Sequence, residues 1–86
     1  MRRGWVVSPD YRAAIGAIKA ARVEHGISQR ELARRLGKSP SFVNKSENLE
    51  RRVDILEFIA IAKALEMLPE DLVRKICDRL PQRFQI

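Results

Sequence analysis

The sequence predicts an all-α fold, a compact bundle of five helices. Apolar residues recur at helical spacing in five separate stretches, and no stretch alternates apolar and polar residues over the length of a strand. With 86 residues, of which 45% are hydrophobic, the chain can form one domain around one core. We expect a tail over residues 1–8, a folded domain over residues 9–80 and a second tail over residues 81–86.

The first helix is predicted to begin at Pro9 and to run to about His25. Ser8 or Asp10 can accept hydrogen bonds from its first N–H groups, and proline suits the first helical position. Gly26 can then adopt the left-handed conformation that ends many helices. This stretch therefore has both a start signal and a stop signal.

Two short helices with a glycine between them come next. Ser28 is expected to cap the first helix, and Glu31 to complete a capping box by accepting a hydrogen bond from the Ser28 N–H. Gly37 ends this helix, and Ser39 is expected to cap the following one, with Pro40 at its first position. Such a pair is a helix-turn-helix, whose second helix can enter the major groove of DNA.

The last two helices carry most of the remaining apolar residues. Helix 3 should end near Asn48, and the polar stretch 48–52 leads to helix 4, which begins near Asp54. Helix 4 has more apolar residues than one buried stripe needs, so it is either buried on two sides or offers one side to a partner. Helix 5 is predicted to begin at Pro69 and to end at Pro81.

The net charge of +6 is concentrated in the first part of the chain. Residues 1–52 contain twelve Lys and Arg and five Asp and Glu, whereas residues 53–86 contain five Lys and Arg and six Asp and Glu. A basic surface on a small domain predicts a polyanionic partner, either nucleic acid or an acidic membrane. We favour nucleic acid and not a membrane, because the arginines border the helix-turn-helix instead of lining one face of a lone amphipathic helix.

The residue inventory argues against several other classes of protein. The single cysteine, Cys77, cannot form an internal disulfide, and one histidine without a nucleophile set, phosphate loop or metal cluster argues against an enzyme. No apolar stretch is long enough to span a bilayer or to form the core of a signal peptide. We therefore expect a cytoplasmic protein with no cofactor, no metal and no small-molecule ligand.

The helix-turn-helix region resembles a known family. The run QRELARRLG at residues 29–37, followed by SFVNKSE at residues 41–47, is similar to the motif of phage repressors and Cro, the XRE family. The likeness covers about residues 11–73. It implies a lambda-repressor-like bundle and a sequence-specific, DNA-binding transcriptional regulator, a homodimer that reads a palindromic operator of double-stranded DNA through helix 3.

The resemblance also implies roles for individual residues. Arg22 and Glu47 correspond to an ion pair that ties helix 1 to helix 3. The base-reading positions are Ser39, Pro40, Ser41, Asn44 and Lys45. The expected phosphate contacts lie at both ends of the motif and are Ser28, Gln29, Arg30, Arg34, Lys38, Asn48, Arg51 and Arg52. For Arg34 and its neighbour Arg35, a solvated or intramolecular role is an equal alternative to DNA contact.

Three positions depart from the family pattern. Pro40 stands where the family often has a polar base reader. Ser46 replaces an aliphatic residue and should weaken the packing under helix 3. Leu49 replaces a glycine, so either Asn48 takes the left-handed conformation of the turn or the loop is reshaped.

A dimer interface would have to come from the near-neutral residues 53–86. The candidates are apolar residues of helices 4 and 5 and of the tail, namely Ile55, Ile59, Val73, Ile76, Leu80 and Phe84. The alternatives are that they close the core, or that they bind a regulatory protein partner, as in an antitoxin-like or antagonist-controlled regulator.

Overall fold

Five α-helices and no strand make up the part of the chain that the structure, a computed structural model, describes, which is residues 8–84. The helices are α1 (Pro9–Glu24), α2 (Gln29–Leu36), α3 (Pro40–Glu47), α4 (Ile55–Ala64) and α5 (Pro69–Cys77). The prediction of an all-α, five-helix bundle is confirmed. Residues 1–7 of the predicted N-terminal tail and residues 85–86 of the C-terminal tail lie outside the described residues. None of the five helices is both long and apolar enough to cross a membrane.

The core lies where α1, α2, α4 and α5 meet. α1 packs against α3 and α5, α2 packs against α3 and α4, and α4 packs against α5. Leu32 of α2 and Leu72 of α5 are fully buried, as is Leu65 at the end of α4. Each buried leucine contributes about 1.5–3 kcal/mol of hydrophobic stabilisation. This core fixes the position of α3, which packs on α1 and α2 at the edge of the bundle.

The N-terminal caps predicted for α1 and α2 are only partly present in the structure. The Ser8 hydroxyl accepts hydrogen bonds from two N–H groups in the first turn of α1, and the Ser28 hydroxyl accepts one from the Glu31 N–H at 3.0 Å. The predicted capping box at Ser28 is wrong, because the Glu31 carboxylate instead accepts hydrogen bonds from Arg34 and Arg35. Two nearby guanidinium groups outcompete one backbone N–H for an exposed carboxylate.

The caps of α3 and α4 also differ from expectation. Ser39 has the extended backbone of an N-cap, but its hydroxyl contacts the Ser41 hydroxyl at 2.9 Å, so the predicted side-chain cap is absent. α4 has a complete capping box that the sequence analysis did not identify. The Asp54 carboxylate accepts from the Glu57 N–H at 2.7 Å, and Glu57 accepts from the Asp54 N–H at 2.9 Å.

Helix α5 ends earlier than predicted. Its last residue is Cys77, four positions before Pro81. After Asp78, the N–H groups bond three residues back, from Arg79 to Ile76 and from Leu80 to Cys77, so the chain tightens into turns. The proline is therefore preceded by a turn and does not itself end the helix.

The turn after α3 is formed by a buried leucine. Asn48 has a φ of −87°, so it does not take the left-handed conformation. Leu49 does so instead, with a φ of 65°, and its side chain is buried in the core. The left-handed conformation costs a residue with a β-carbon about 1–2 kcal/mol, an amount that burying a leucine side chain offsets. The position that the family usually fills with glycine is here part of the core.

Candidate nucleic-acid interface

A buried ion pair joins α1 to the end of α3. Arg22 Nε lies 2.7 Å from Glu47 Oε2, and Arg22 Nη2 donates to Glu47 Oε1 at 3.0 Å. The two side chains are 9% and 5% exposed. Arg22 Nη1 also donates to the Ile27 carbonyl at 2.7 Å, in the turn that leads to α2. One guanidinium therefore holds three segments of the motif together.

The outer face of α3 is polar and exposed. The exposed residues from its N-cap to its last turn are Ser39, Pro40, Ser41, Asn44 and Lys45. The opposite face is buried through Val43 and Ser46. Among residues 8–84, Lys45 has neither a hydrogen-bond partner nor an ion-pair partner for its ammonium group. The five residues predicted to read bases therefore share one surface, on which Lys45 presents an uncompensated positive charge.

Three amide side chains form a line across this surface. Gln29 Nε2 donates to Glu47 Oε1 at 2.9 Å. Asn44 Nδ2 donates to Gln29 Oε1 at 3.3 Å, and Asn48 Nδ2 donates to Asn44 Oδ1 at 3.1 Å. The structure thus brings Asn44, a predicted base reader, into contact with Gln29 and Asn48, two predicted phosphate ligands.

Arg51 is placed in a different role from the phosphate contact that the sequence suggested. Its guanidinium donates to both carboxylate oxygens of Glu57, at 3.1 and 2.7 Å, and to the Ser46 hydroxyl at 3.1 Å. Its Cζ atom also lies 4.4 Å from the centre of the Phe42 ring. A bidentate carboxylate largely neutralises the guanidinium charge. In this structure the Arg51 side chain holds the loop against α3 and α4, and its phosphate contact stays a prediction.

Ser46 takes part in the same set of contacts. Its hydroxyl donates to the Phe42 carbonyl at 2.8 Å and accepts from Arg51. It also lines a small, mainly apolar cavity of about 20 Å³, so packing under α3 is incomplete. The serine gives up some apolar contact and supplies a buried anchor for the arginine.

The Arg51–Glu57 pair gives a prediction about acid stability. Hydrogen bonds from Arg51 hold the pKa of Glu57 below its usual value. A carboxyl with a lowered folded-state pKa stabilises the fold above its unfolded pKa of about 4.3, and that contribution is lost as pH falls through the folded value. Glu57→Gln should therefore make the free energy of unfolding, measured by urea denaturation, less steeply dependent on pH below about 4.3. Glu50→Gln removes an equal charge at an exposed position and serves as the control. Identical profiles for wild type and Glu57→Gln would contradict the prediction.

Arg34 has an intramolecular partner in this structure, and its phosphate contact stays a prediction. It donates to Glu31 at 2.9 and 2.6 Å, and Arg35 donates to the same carboxylate at 2.8 Å. These hydrogen bonds, that of Arg34 first, lower the pKa of Glu31 to about 2. Arg35 also donates to the Ala64 carbonyl at 2.7 Å, which links α2 to the end of α4. Arg35 therefore joins two helices, whereas the Arg34 side chain, which is 72% exposed, bonds within residues 8–84 only to its own helix.

Three other predicted phosphate ligands are exposed to solvent. Arg30 is exposed, with no hydrogen-bond or ion-pair partner among residues 8–84. Lys38 Nζ lies 5.4 Å from the centre of the Phe42 ring, and Arg52 Cζ lies 4.4 Å from that of Tyr11. Both side chains are exposed and lie over an aromatic face, which attracts a cation. The two rings help to position these cations, a role that nothing in the spacing of the sequence signalled.

Tyr11 has a further structural contact that the sequence analysis missed. Its hydroxyl accepts a hydrogen bond from the Val53 N–H at 3.0 Å. The first turn of α1 therefore fixes the loop that carries Arg52. A lone tyrosine in a first turn gives no sequence signal for a partner 42 positions away.

The candidate interface residues of α4, α5 and the tail divide by exposure. Ile55, Val73 and Phe84 are exposed, whereas Ile59, Ile76 and Leu80 are half-buried. Leu56, which was not among the candidates, is 75% exposed beside Ile55 at 74%. The first turn of α4 therefore presents two adjacent large apolar side chains to solvent.

The geometry defines a class of protein. α2 and α3 are joined through Gly37, whose φ is 69°, and α3 turns a polar face outward while its other face is buried. This is a helix-turn-helix of the DNA-binding kind. Within residues 8–84, no group of three His, Cys, Asp or Glu side chains could hold a metal ion.

Comparison with known proteins places the chain in a family. The helix-turn-helix family model HTH_3 matches residues 18–73. The chain belongs to this XRE-type family of DNA-binding transcriptional regulators.

Solved structures agree with this assignment. An XRE-family like protein from Pseudomonas syringae pv. tomato str. DC3000 is 40% identical with a TM-score of 0.75, over 84% of this chain and 88% of that one. The clp gene regulator ClgR from C. glutamicum is 20% identical with a TM-score of 0.75, over 86% of this chain and 96% of that one. Another structure of ClgR from Corynebacterium glutamicum is 22% identical with a TM-score of 0.71, over 80% of this chain and 73% of that one. The ClgR similarities show the fold alone. No curated protein matches the chain.

Proposed function

We propose that this regulator binds DNA sequence-specifically as a homodimer, with α3 of each copy in a major groove of a palindromic operator. The observation that carries the proposal is the exposed outer face of α3, where the Lys45 ammonium has no ion-pair or hydrogen-bond partner among residues 8–84. Lys45 can donate to guanine O6 or N7, and the Ser41 hydroxyl can either donate or accept. Pro40 can contribute an apolar contact to a thymine methyl group.

Phosphate contacts are proposed on both sides of α3. On one side lie the N-terminus of α2, at Ser28 and Gln29, and the exposed Arg30. On the other lie Asn48 and Arg52, in the segment that follows α3. Lys38, in the turn before α3, adds a further positive charge. These residues give orientation and affinity, and α3 gives sequence preference.

The salt dependence of binding tests the phosphate contacts. If each copy of the homodimer neutralises about six phosphates, the logarithm of the association constant of the dimer should fall with the logarithm of salt concentration with a slope of about −11. Fluorescence anisotropy with a mixed-sequence duplex measures this slope. Arg30→Gln removes one such contact from each copy and should make the slope shallower by about 2. A slope near zero for the wild type would contradict binding through the DNA backbone.

The first turn of α4 is the proposed dimer contact. Adjacent exposed apolar side chains, here Ile55 and Leu56, are typical of an interface, whereas scattered ones are not. The turn follows directly on the loop after α3, and in a two-fold contact the same turn of each copy would meet the other.

A charge in this contact should break the dimer. Leu56→Glu should convert a dimer into a monomer at tens of micromolar in a sedimentation run, because a carboxylate would be buried without a partner. Val23→Glu places the same charge at an exposed apolar position of α1 and should leave the dimer intact. A dimer that survives Leu56→Glu would contradict this interface. A monomeric wild type would instead favour a regulatory protein partner for the patch.

A further inference from the structure

We infer that Asn44 is a positioning residue, which holds the amides of Gln29 and Asn48 in place for the DNA backbone and does not itself read a base. The inference rests on the proposed function, since it assumes that the outer face of α3 meets DNA. It assigns to Asn44 a role that differs from the base-reading one expected from its position in α3.

The direction of each amide follows from the buried ion pair. The Glu47 carboxylate can only accept hydrogen bonds, so Gln29 must turn its NH₂ group toward it. The Gln29 oxygen then faces α3, where Asn44 donates to it. This leaves the Asn44 oxygen to accept from Asn48. The charge on Glu47 therefore fixes the orientation of three successive amides, and Arg22 fixes the carboxylate.

The line of amides connects the two ends of the motif. Gln29 is the first residue of α2, and Asn48 is the C-cap of α3. Within the part of the chain that the structure describes, Asn44 is the side chain that hydrogen-bonds to both. The proposed phosphate contacts on the two sides of α3 are thus linked through a single residue.

Both polar atoms of Asn44 are already held within the protein. An asparagine that reads adenine uses its oxygen and its nitrogen together. Swinging this amide toward a base would release Gln29 and Asn48 from their present positions. The ammonium group of Lys45, the next residue, has no such hydrogen bond within residues 8–84 and is exposed on the same helix. Readout therefore falls to Lys45 with Ser41 and Pro40, and Asn44 holds Gln29 and Asn48 in place for phosphate.

The hydrogen bonds of Asn44 should contribute more to the free energy of DNA binding than to the stability of the free protein. They lie on exposed surface, where water competes for every donor and acceptor. Side chains that are already ordered lose less conformational freedom when DNA binds. The contribution of Asn44 should therefore appear mainly as affinity for DNA of any sequence.

Two variants of α3 separate positioning from readout. Their affinities are measured by fluorescence anisotropy for a duplex selected from a random library and for a scrambled duplex of equal composition. Asn44→Ala should weaken binding to both duplexes by the same factor, about three- to ten-fold. Lys45→Ala should lower the preference for the selected duplex. Gln29→Ala combined with Asn44→Ala should cost less than the product of the two single effects, because the residues act as a unit.

Side-chain amide NMR provides a readout in the absence of DNA. In ¹⁵N-labelled Asn44→Ala, the NH₂ signals of Gln29 and Asn48 should move and show increased picosecond-to-nanosecond motion, whereas Ser41→Ala should leave them unchanged. Unchanged signals in Asn44→Ala would overturn the positioning role. So would a loss of affinity confined to the selected duplex, which would make Asn44 a base reader, or no change in affinity for either duplex. A wild type that binds neither duplex would overturn the proposed function together with the DNA role of Asn44, while the signals would still report on the amide line.

Discussion

Replacing Glu47 with alanine should destabilise the fold by about 3–5 kcal/mol, because it leaves the buried Arg22 guanidinium without its carboxylate. The Ile27 carbonyl would be the one remaining partner that the structure gives this arginine. A single carbonyl does not compensate a buried positive charge. Urea denaturation followed by far-UV circular dichroism measures the loss. Arg22→Ala should give a loss of similar size, and the double variant should lose less than the sum.

A matched variant separates the charge from the packing. Arg22→Met combined with Glu47→Leu removes both charges and keeps apolar volume between α1 and α3, so it should recover most of the stability lost in Glu47→Ala. Solvated surface pairs contribute about 0–1 kcal/mol. A loss within that range for Glu47→Ala would contradict the account of this pair as the tie between the two helices.

Replacing Lys45 with alanine should weaken binding to the preferred DNA sequence by roughly 5- to 150-fold for each half of the operator, which corresponds to the 1–3 kcal/mol of one good contact to a base edge. Lys45 is exposed on α3 and has no ion-pair partner within residues 8–84, so it does not have to leave a carboxylate to reach a guanine. Anisotropy titrations with a selected duplex and its scrambled counterpart measure the effect, which should be smaller on the scrambled duplex.

The control must remove one positive charge elsewhere. Lys63 is exposed on α4, outside the motif, and Lys63→Ala makes the same change in net charge. It should weaken binding to both duplexes only slightly. Equal losses for Lys45→Ala and Lys63→Ala would mean that Lys45 acts as a general charge and does not read sequence.

The helices could be predicted because their signals are local. Pro9, Pro40 and Pro69 start helices, and Gly26 and Gly37 follow the ends of α1 and α2 with a positive φ. Each signal works within one turn of the chain, so the sequence alone contains it.

Contacts between distant segments could not be predicted in the same way. Leu49 takes the left-handed conformation because its side chain is buried by residues far away in the sequence. Arg51 lies in a polar loop, where a cation suggests a phosphate contact, but the path of the loop brings it to Glu57 and Phe42. In both cases tertiary packing decides between local possibilities of similar energy.

In the candidate site, too, local features could be predicted from the sequence and contacts between distant segments could not. The outward face of α3 follows from helical periodicity, and the sequence therefore grouped its exposed residues correctly. The hydrogen bonds of Asn44 depend on Gln29, which lies on another helix. The exposure of Leu56 depends on where α4 leaves the core. The first turn of α4 is apolar but exposed, whereas Ile61, further along the same helix, is buried. Periodicity alone does not separate these two parts of one apolar helix.

Sequence preference in DNA binding is the most direct test of the account. Duplexes selected by the wild type from a randomised library are compared with scrambled duplexes of the same composition, at one fixed salt concentration. The account predicts that the selected sequence is bound about 10³-fold or more tightly than the scrambled one, as expected when a helix reads base edges. A ratio near one would contradict it, because the protein would then recognise the DNA backbone and not its sequence.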